Sequence, residues 1–242
     1  FRFESNIILD AALAALRTSE WNRALAFAEP RLSEEAPGES SRTFWLKQEP
    51  ARELIWKWIE VTARLGREIR NSGEAMPASF RAIYETYVSG EWKIDRYHRE
   101  YRILTNSITT QTFFRNIGDY FSIRNTMNRL YRSWADGRSR AWNTLCVKER
   151  FAVPEGLSQR GFFGRSVAPL LQGKRKTALI LVDALRYELG EELARMLADY
   201  ANGQKILSPM LAELPTITAV GMNALMPVEQ EGTLDPVFDK TG

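Results

Sequence analysis

Thr177-Ala178-Leu179-Ile180-Leu181-Val182 is a short continuous apolar run, β-branched at intervals, and Asp183 closes it. A run of this kind predicts a strand buried on both faces of a parallel sheet. Downstream, Leu189, Leu193, Met196, Leu197 and Tyr200 form a helical stripe over 186–200, which Gly203 closes. Residues 205–214 read as a second strand, irregular at Ser208-Pro209. Pro215-Thr216-Ile217-Thr218 reads as a turn, and 219–226 as the opening of another helix. Strand, helix, strand, helix is the start of an α/β layer structure.

Upstream the character differs. Residues 151–176 hold Val153-Pro154-Glu155-Gly156, Gly161, Gly164 and Gly173, a linker composition. Residues 6–149 read as helices. Leu9, Leu13 and Leu16 share one face, and Thr18-Ser19 offers a cap for a second helix with Trp21, Leu25 and Phe27. Residues 30–41 read as a loop rich in Pro, Gly, Ser and Glu. Leu54, Trp58, Val61 and Leu65 mark the strongest helix, with Pro50 in its first turn and Asn71-Ser72-Gly73 as its stop. Phe80, Ile83, Tyr84 and Tyr87 form the next apolar face, ended by Gly90. Trp92 to Leu104 follows. The last helical stretch, 112–149, carries Phe113, Tyr120, Met127, Leu130 and Trp134, with a break expected at Asp136-Gly137. The expected domains are therefore a helical region 1–150, a linker 151–176 and an α/β segment 177–242.

The 242 residues are 44% hydrophobic and 26% charged, which excludes disordered and fibrous classes. No apolar run approaches the length of a membrane helix. Phe1-Arg2-Phe3-Glu4 is neither an initiator Met nor a signal peptide, so a fragment of a longer protein is expected. The single cysteine, Cys146, excludes an internal disulfide framework and fits a reducing, cytoplasmic compartment. The single histidine, His98, sits among charged residues and reads as a surface or packing side chain; His-rich zinc sites are excluded. Charge is uneven. Residues 77–150 carry a net +6 and 151–176 a net +4, against −6 over 177–242. Such a division suits either complementary domains or a basic surface that faces nucleic acid.

Chemistry is expected at two strand-to-helix junctions. Asp183 ends its strand at the carboxyl edge, where open α/β sheets place ligands. A carboxylate there suits a divalent cation such as zinc or magnesium, or else a helix cap. Thr216 and Thr218 precede a helix, where hydroxyls serve either as caps or as nucleophiles activated by a metal. A carboxylate and an alcohol that share one ion are the minimum of a two-metal phosphoryl-transfer centre. Arg186 lies near enough to reach a phosphate oxygen, or to pair with Glu188 or Glu191. No P-loop, His-Glu-x-x-His, Cys-x-x-Cys or Gly-x-Ser-x-Gly occurs.

Asp183-Ala184-Leu185-Arg186-Tyr187-Glu188, followed by 214–225 (LPTITAVGMNAL), resembles the type-A PglZ domain of bacterial BREX phage-defence systems. Gln159-Arg160-Gly161-Phe162-Phe163, Val167-Ala168-Pro169-Leu170-Leu171 and Trp92-Lys93-Ile94-Asp95-Arg96-Tyr97 extend the resemblance over 80–228. The resemblance implies the alkaline phosphatase superfamily: an α/β core, a metal-binding Asp on the first strand and a Ser or Thr nucleophile at a helix start. Asp183 matches the metal ligand. Thr218 matches the nucleophile and a second metal contact, Thr216 being the alternative. Arg186 and Asn223 are the implied substrate-binding residues. Thr218-Ala219-Val220-Gly221-Met222 parallels the Ser-x-Val-Gly-His of cofactor-independent phosphoglycerate mutases, with Met222 in place of His.

The fold class so implied is an α-helical N-terminal region followed by the first part of an α/β alkaline-phosphatase-like domain. The implied activity is a zinc-dependent phosphatase or phosphodiesterase, extending to nuclease action, in the cytoplasm. The implied partners are other BREX defence proteins and a phosphoester substrate such as DNA. The alternative is a non-catalytic scaffold of the same fold that binds defence proteins or DNA through the basic 77–176 stretch. The superfamily completes its metal site with downstream Asp and His residues. With one His in this chain, a complete site is not expected within it.

Overall fold

The computed structural model of the chain describes residues 2–33, 50–73, 77–108, 117–173, 176–198 and 205–227. Residues 34–41 of the expected loop, Phe113, Lys174-Arg175, Tyr200 and Gly203 lie outside them. The helices are α1 (Arg2–Arg17), α2 (Trp21–Leu32), α3 (Pro50–Ser72), α4 (Phe80–Thr86), α5 (Trp92–Ser107), α6 (Ile117–Lys148), α7 (Ala168–Gln172), α8 (Tyr187–Ala198) and α9 (Thr218–Ala224). Among the described residues no helix is long and apolar enough to cross a membrane.

The chain divides into two compact units, 1–76 with 89–141 and 77–88 with 142–242. Composition placed its bounds at 150 and 176. In the second unit, Phe80 of α4 meets Trp142 of α6 with ring centroids 5.0 Å apart, and the Tyr84 hydroxyl donates to the Pro209 carbonyl at 3.3 Å.

The core of the first unit is the set of apolar stripes legible in the sequence. Leu13 and Leu16 of α1, Trp21 and Leu25 of α2, Ile55, Trp58, Ile59 and Leu65 of α3, and Ile94 and Tyr101 of α5 are buried together. Trp58 donates its indole N–H to Thr105 at 3.0 Å, so the ring is buried without an orphaned donor. Gly66 is required by close approach: a Cβ there would sit 2.6 Å from the Trp21 ring. Gly73, at φ 66°, follows α3 as expected for a left-handed stop. His98 stacks on Tyr131 at 3.4 Å, a packing histidine. Cys146 is buried, and burial pushes its thiol pKa up, so it behaves as an apolar residue.

Several local expectations are corrected. Thr18-Ser19 does not cap α2. Instead α1 closes in a Schellman turn, with Glu20 N–H bonded to the Ala15 carbonyl at 2.8 Å and Ser19 N–H to Leu16 at 3.2 Å. The α2 helix continues through Pro30 to Leu32. So late a proline forfeits only one backbone bond, and the Arg31 guanidinium donates to the Phe27 carbonyl at 2.7 Å. Gly90 does not end a helix; it lies in a π-turn, Tyr87–Glu91, that leads directly into α5. Asp136-Gly137 does not break α6 either. A glycine costs a helix about 1 kcal/mol, which tertiary packing offsets. Next to it, Arg138 pairs with buried Glu91 and donates to the Ser72 carbonyl at 3.3 Å.

The expected sheet is not formed among the described residues. Residues 176–182 run without secondary structure, and Ile180 is 79% exposed. Residues 205–210 do likewise, with Ile206 at 77%. The pairing in this region is an isolated parallel bridge between Ser158 and Leu211. A strand buried on both faces needs neighbours at both edges and helices above and below, and the described residues supply neither. Within the described residues the expected strands are not formed, and short helices and turns surround a small core of Phe80, Leu145 and Cys146.

Candidate functional site

Asp183 sits in the turn after the apolar run, four residues before α8 begins at Tyr187. Its Oδ1 accepts the backbone N–H of Ala184 at 2.9 Å, and its Oδ2 accepts the hydroxyl of Thr218 at 3.1 Å. The carboxylate is thus too early to cap α8, and its bonds go elsewhere. Thr218 is the first residue of α9, with Ile217 at the cap position. Its hydroxyl is spent on Asp183 rather than on α9 backbone groups. Both capping explanations give way to a carboxylate–alcohol pair 35 residues apart in sequence. Both side chains are exposed, open to a ligand.

The turn is held at a cost. Ala184 has φ 55°, a left-handed conformation that disfavours a Cβ by roughly 1 kcal/mol. Ala184→Gly is expected to raise stability by about 0.5–1 kcal/mol, read as a higher urea midpoint at unchanged slope. A lower midpoint would show that the turn is not under strain.

The other site candidates are placed differently. Arg186 donates to Glu188 at 2.6 Å, and the Glu188 side chain is fully buried. The ion pair anticipated for Arg186 is the one formed, so its guanidinium anchors the start of α8. Thr216 is exposed and lies before the helix; Thr218 is the hydroxyl that meets Asp183. Asn223 is exposed, five residues beyond Thr218 on α9, and therefore roughly 140° round the helix from it. The α9 helix has seven residues, so its dipole adds little and the site rests on the side-chain pair.

At the start of α8, Tyr187 donates to Glu191 at 2.5 Å. Burial first, then Glu191, pushes its phenol pKa up to about 12; burial does the same to Tyr101. Raised phenol pKa values favour the neutral form in the folded state. That contribution is complete below pH 10 and is lost as pH rises through about 12. Tyrosinate absorbance is expected to show a late-ionising component that shrinks in Tyr101→Phe and in Tyr187→Phe. An unchanged titration curve in both variants would contradict this.

Asp183 and Thr218 offer two oxygen donors, of the kind that hard or borderline divalent cations take. Among the described residues no group of three or more His, Cys, Asp or Glu side chains gathers. The donors fit such an ion in kind and make up two of the four that zinc usually takes.

Comparison with known proteins shows that this part of the chain is similar to alkaline phosphatase-like proteins. More narrowly, residues 162–235 match the family described as the BREX system PglZ alkaline phosphatase-like domain, and the resemblance read from the residues stands. The chain is 27% identical over 206 residues to the alkaline phosphatase-like protein BrxZ of Escherichia coli O9:H4 (strain HS), which covers 79% of this chain and 23% of that protein. It is 26% identical over 151 residues to the alkaline phosphatase-like protein PglZ of Bacillus cereus (strain H3081.97), covering 60% and 17% respectively. The chain thus spans less than a quarter of the length of either relative. No solved structure matches it.

Sequence reasoning passed over the surroundings of Trp142 and Phe151. Phe151 reads as the first residue of a linker, and Trp142 lies inside the helical stretch 112–149 without being singled out. The one signal for Phe151 is an aromatic placed shortly after a helix end without a glycine.

Proposed function

We propose that the chain contributes to a metal-dependent phosphohydrolase of a BREX anti-phage system, acting on phosphodiesters, nucleic acid included, in the cytoplasm. The observation that carries this reading is the hydrogen bond between Thr218 Oγ1 and Asp183 Oδ2. Thr218 is the nucleophile. Its Oγ1 bonds to phosphorus as its proton passes to Asp183 Oδ2, the bond to the leaving alcohol breaks with its electron pair on the alcohol oxygen, which takes up a proton, and water then cleaves the phosphothreonine, restoring the hydroxyl and releasing a phosphomonoester. Asp183 Oδ2 holds and orients the hydroxyl. A divalent cation, zinc by preference, would take both residues as ligands, lowering the hydroxyl pKa and offsetting charge on the phosphoryl oxygens. Thr216 is the alternative nucleophile. Arg186 reaches substrate by leaving Glu188, and the exposed Asn223 is the second proposed substrate contact.

The reading extends to a longer polypeptide, in which residues 177–182 and 205–214 enter a sheet and further acidic or imidazole ligands complete the ion's shell. Other BREX proteins are the proposed partners. The alternative is a non-catalytic scaffold of the same fold that binds defence proteins or DNA through the basic stretch 77–176. The deciding experiment compares wild type, Thr218→Ala and Asp183→Ala in the full-length polypeptide on a nitrophenyl phosphodiester with added zinc. Equal rates would remove both residues from the chemistry and leave the scaffold.

A further inference from the structure

The second unit contains a cleft of about 620 Å³, within the range of small-ligand sites. Its lining combines two aromatic rings, Trp142 and Phe151, with the polar groups of Asn143, Arg160 and Glu213, and it ends at Pro215. Pro215 is three residues before Thr218. Three residues of extended chain span at most about 10 Å, so the cleft lies within a small molecule's reach of the hydroxyl.

The turn that presents Phe151 is unusual. Phe151 N–H bonds to the Cys146 carbonyl at 2.7 Å and Arg150 N–H to Val147 at 3.2 Å, which closes α6 in a Schellman motif. That motif needs one left-handed residue, and Arg150 at φ 51° supplies it. Phe151 follows at φ 60°, a second left-handed residue that the motif does not require. Its ring would normally pack back on the helix, yet it stays 59% exposed. The chain accepts strain to hold an aromatic face in the cleft. Opposite in chemistry, Arg160 and Glu213 are locked by two hydrogen bonds of 2.8 and 2.7 Å, and Gln159 receives the Glu213 N–H at 3.0 Å. With the Asn143 amide, they form a fixed edge of donors and acceptors beside the rings.

We infer that this cleft is a subsite for a nucleobase, carried by a nucleotide or by an unpaired base of a single strand. Rings supply a stacking face that any base can use, and the polar edge suits a heterocycle's amide groups. The inference rests on the phosphohydrolase reading and names its substrate class as nucleotidyl esters.

The test is equilibrium dialysis with the full-length polypeptide carrying Thr218→Ala, so that ligands are not turned over. Thymidine monophosphate is compared with deoxyribose phosphate, which lacks the base, and with a short oligothymidylate. The base is expected to tighten binding about tenfold over the sugar phosphate. Phe151→Ala is expected to abolish that difference, leave sugar phosphate binding unchanged and keep the unfolding midpoint. Phe151→Tyr should restore it. A base-dependent gain with oligothymidylate alone assigns the strand as the source; a gain with both assigns the base itself. Equal binding of the base-bearing and base-free ligands overturns the inference, as does a gain that survives Phe151→Ala or binding of neither ligand. The Asp183–Thr218 reading fails separately, by unchanged hydrolysis when those residues are replaced.

Discussion

In the full-length polypeptide with added zinc, Thr218→Ala is expected to reduce hydrolysis of a nitrophenyl phosphodiester by about a thousandfold or more. An alanine offers no oxygen to phosphorus, and the remaining rate is what substrate positioning alone provides. Asp183→Ala should fall in the same range, because the carboxylate that accepts the Thr218 hydroxyl at 3.1 Å, and that is proposed to hold the ion, is lost. Residues that act as a unit are not additive, so the double variant should be no slower than the worse single one. Thr216→Ala should stay within about twofold of wild type, its hydroxyl not being the one that meets Asp183. Misfolding does not explain such losses: both side chains are exposed, and surface truncations usually change stability by about 0.5 kcal/mol or less. A double variant that lost the product of the two single effects would show independent roles and contradict the shared site.

The second large effect concerns the helical unit. Trp58→Ala is expected to destabilise it by about 3–5 kcal/mol. The ring is fully buried among Ile55, Ile59 and Leu65 of α3, and it lies 5.7 Å from the Tyr120 ring. Truncation leaves a cavity and strips Thr105 of its indole donor. Trp58→Phe, which keeps most of the volume but not the N–H, should lose clearly less. The check is a chemical denaturation series followed by helical circular dichroism. A Trp58→Ala loss near 1 kcal/mol, the centre of ordinary substitutions, would show that α3 is not the middle of this core.

How far the sequence carried the reading depended on where each residue's partners lie. Leu9, Leu13 and Leu16, or Trp58 and Leu65, declare a buried face within a few helical turns, so periodicity finds them. Gly73 declares a stop by its own backbone. Gly90 and Gly137 look the same in sequence, but packing decides their outcome: Arg138, beside Gly137, is tied to Glu91 and Ser72, residues far away in the chain. The run 177–182 is the opposite case. Its pattern specifies burial between neighbours, and where the described residues provide none the same side chains stand exposed. A strand signal is a statement about partners, whereas an amphipathic helix carries half of its structure within itself.

The hydrogen-bonded pair was legible in the sequence, and its surroundings were not. Asp183 and Thr218 were picked out by position and resemblance, and their hydrogen bond unites them. Arg186 was legible only as a choice between phosphate and Glu188, because a flexible guanidinium takes whichever carboxylate is near; the structure puts it on Glu188. Phe151 gave no periodic signal at all. Its exposure follows from two successive left-handed residues, which no composition or spacing encodes.

The most direct measurement is to quench a single turnover of the full-length polypeptide on a nitrophenyl phosphodiester in acid and map the phosphorylated peptide by mass spectrometry. A phosphoryl group on Thr218, lost in Asp183→Ala, is the result expected. The same group on Thr216 or on any other side chain, or its persistence on Thr218 without Asp183, would contradict a site built from this carboxylate and this alcohol.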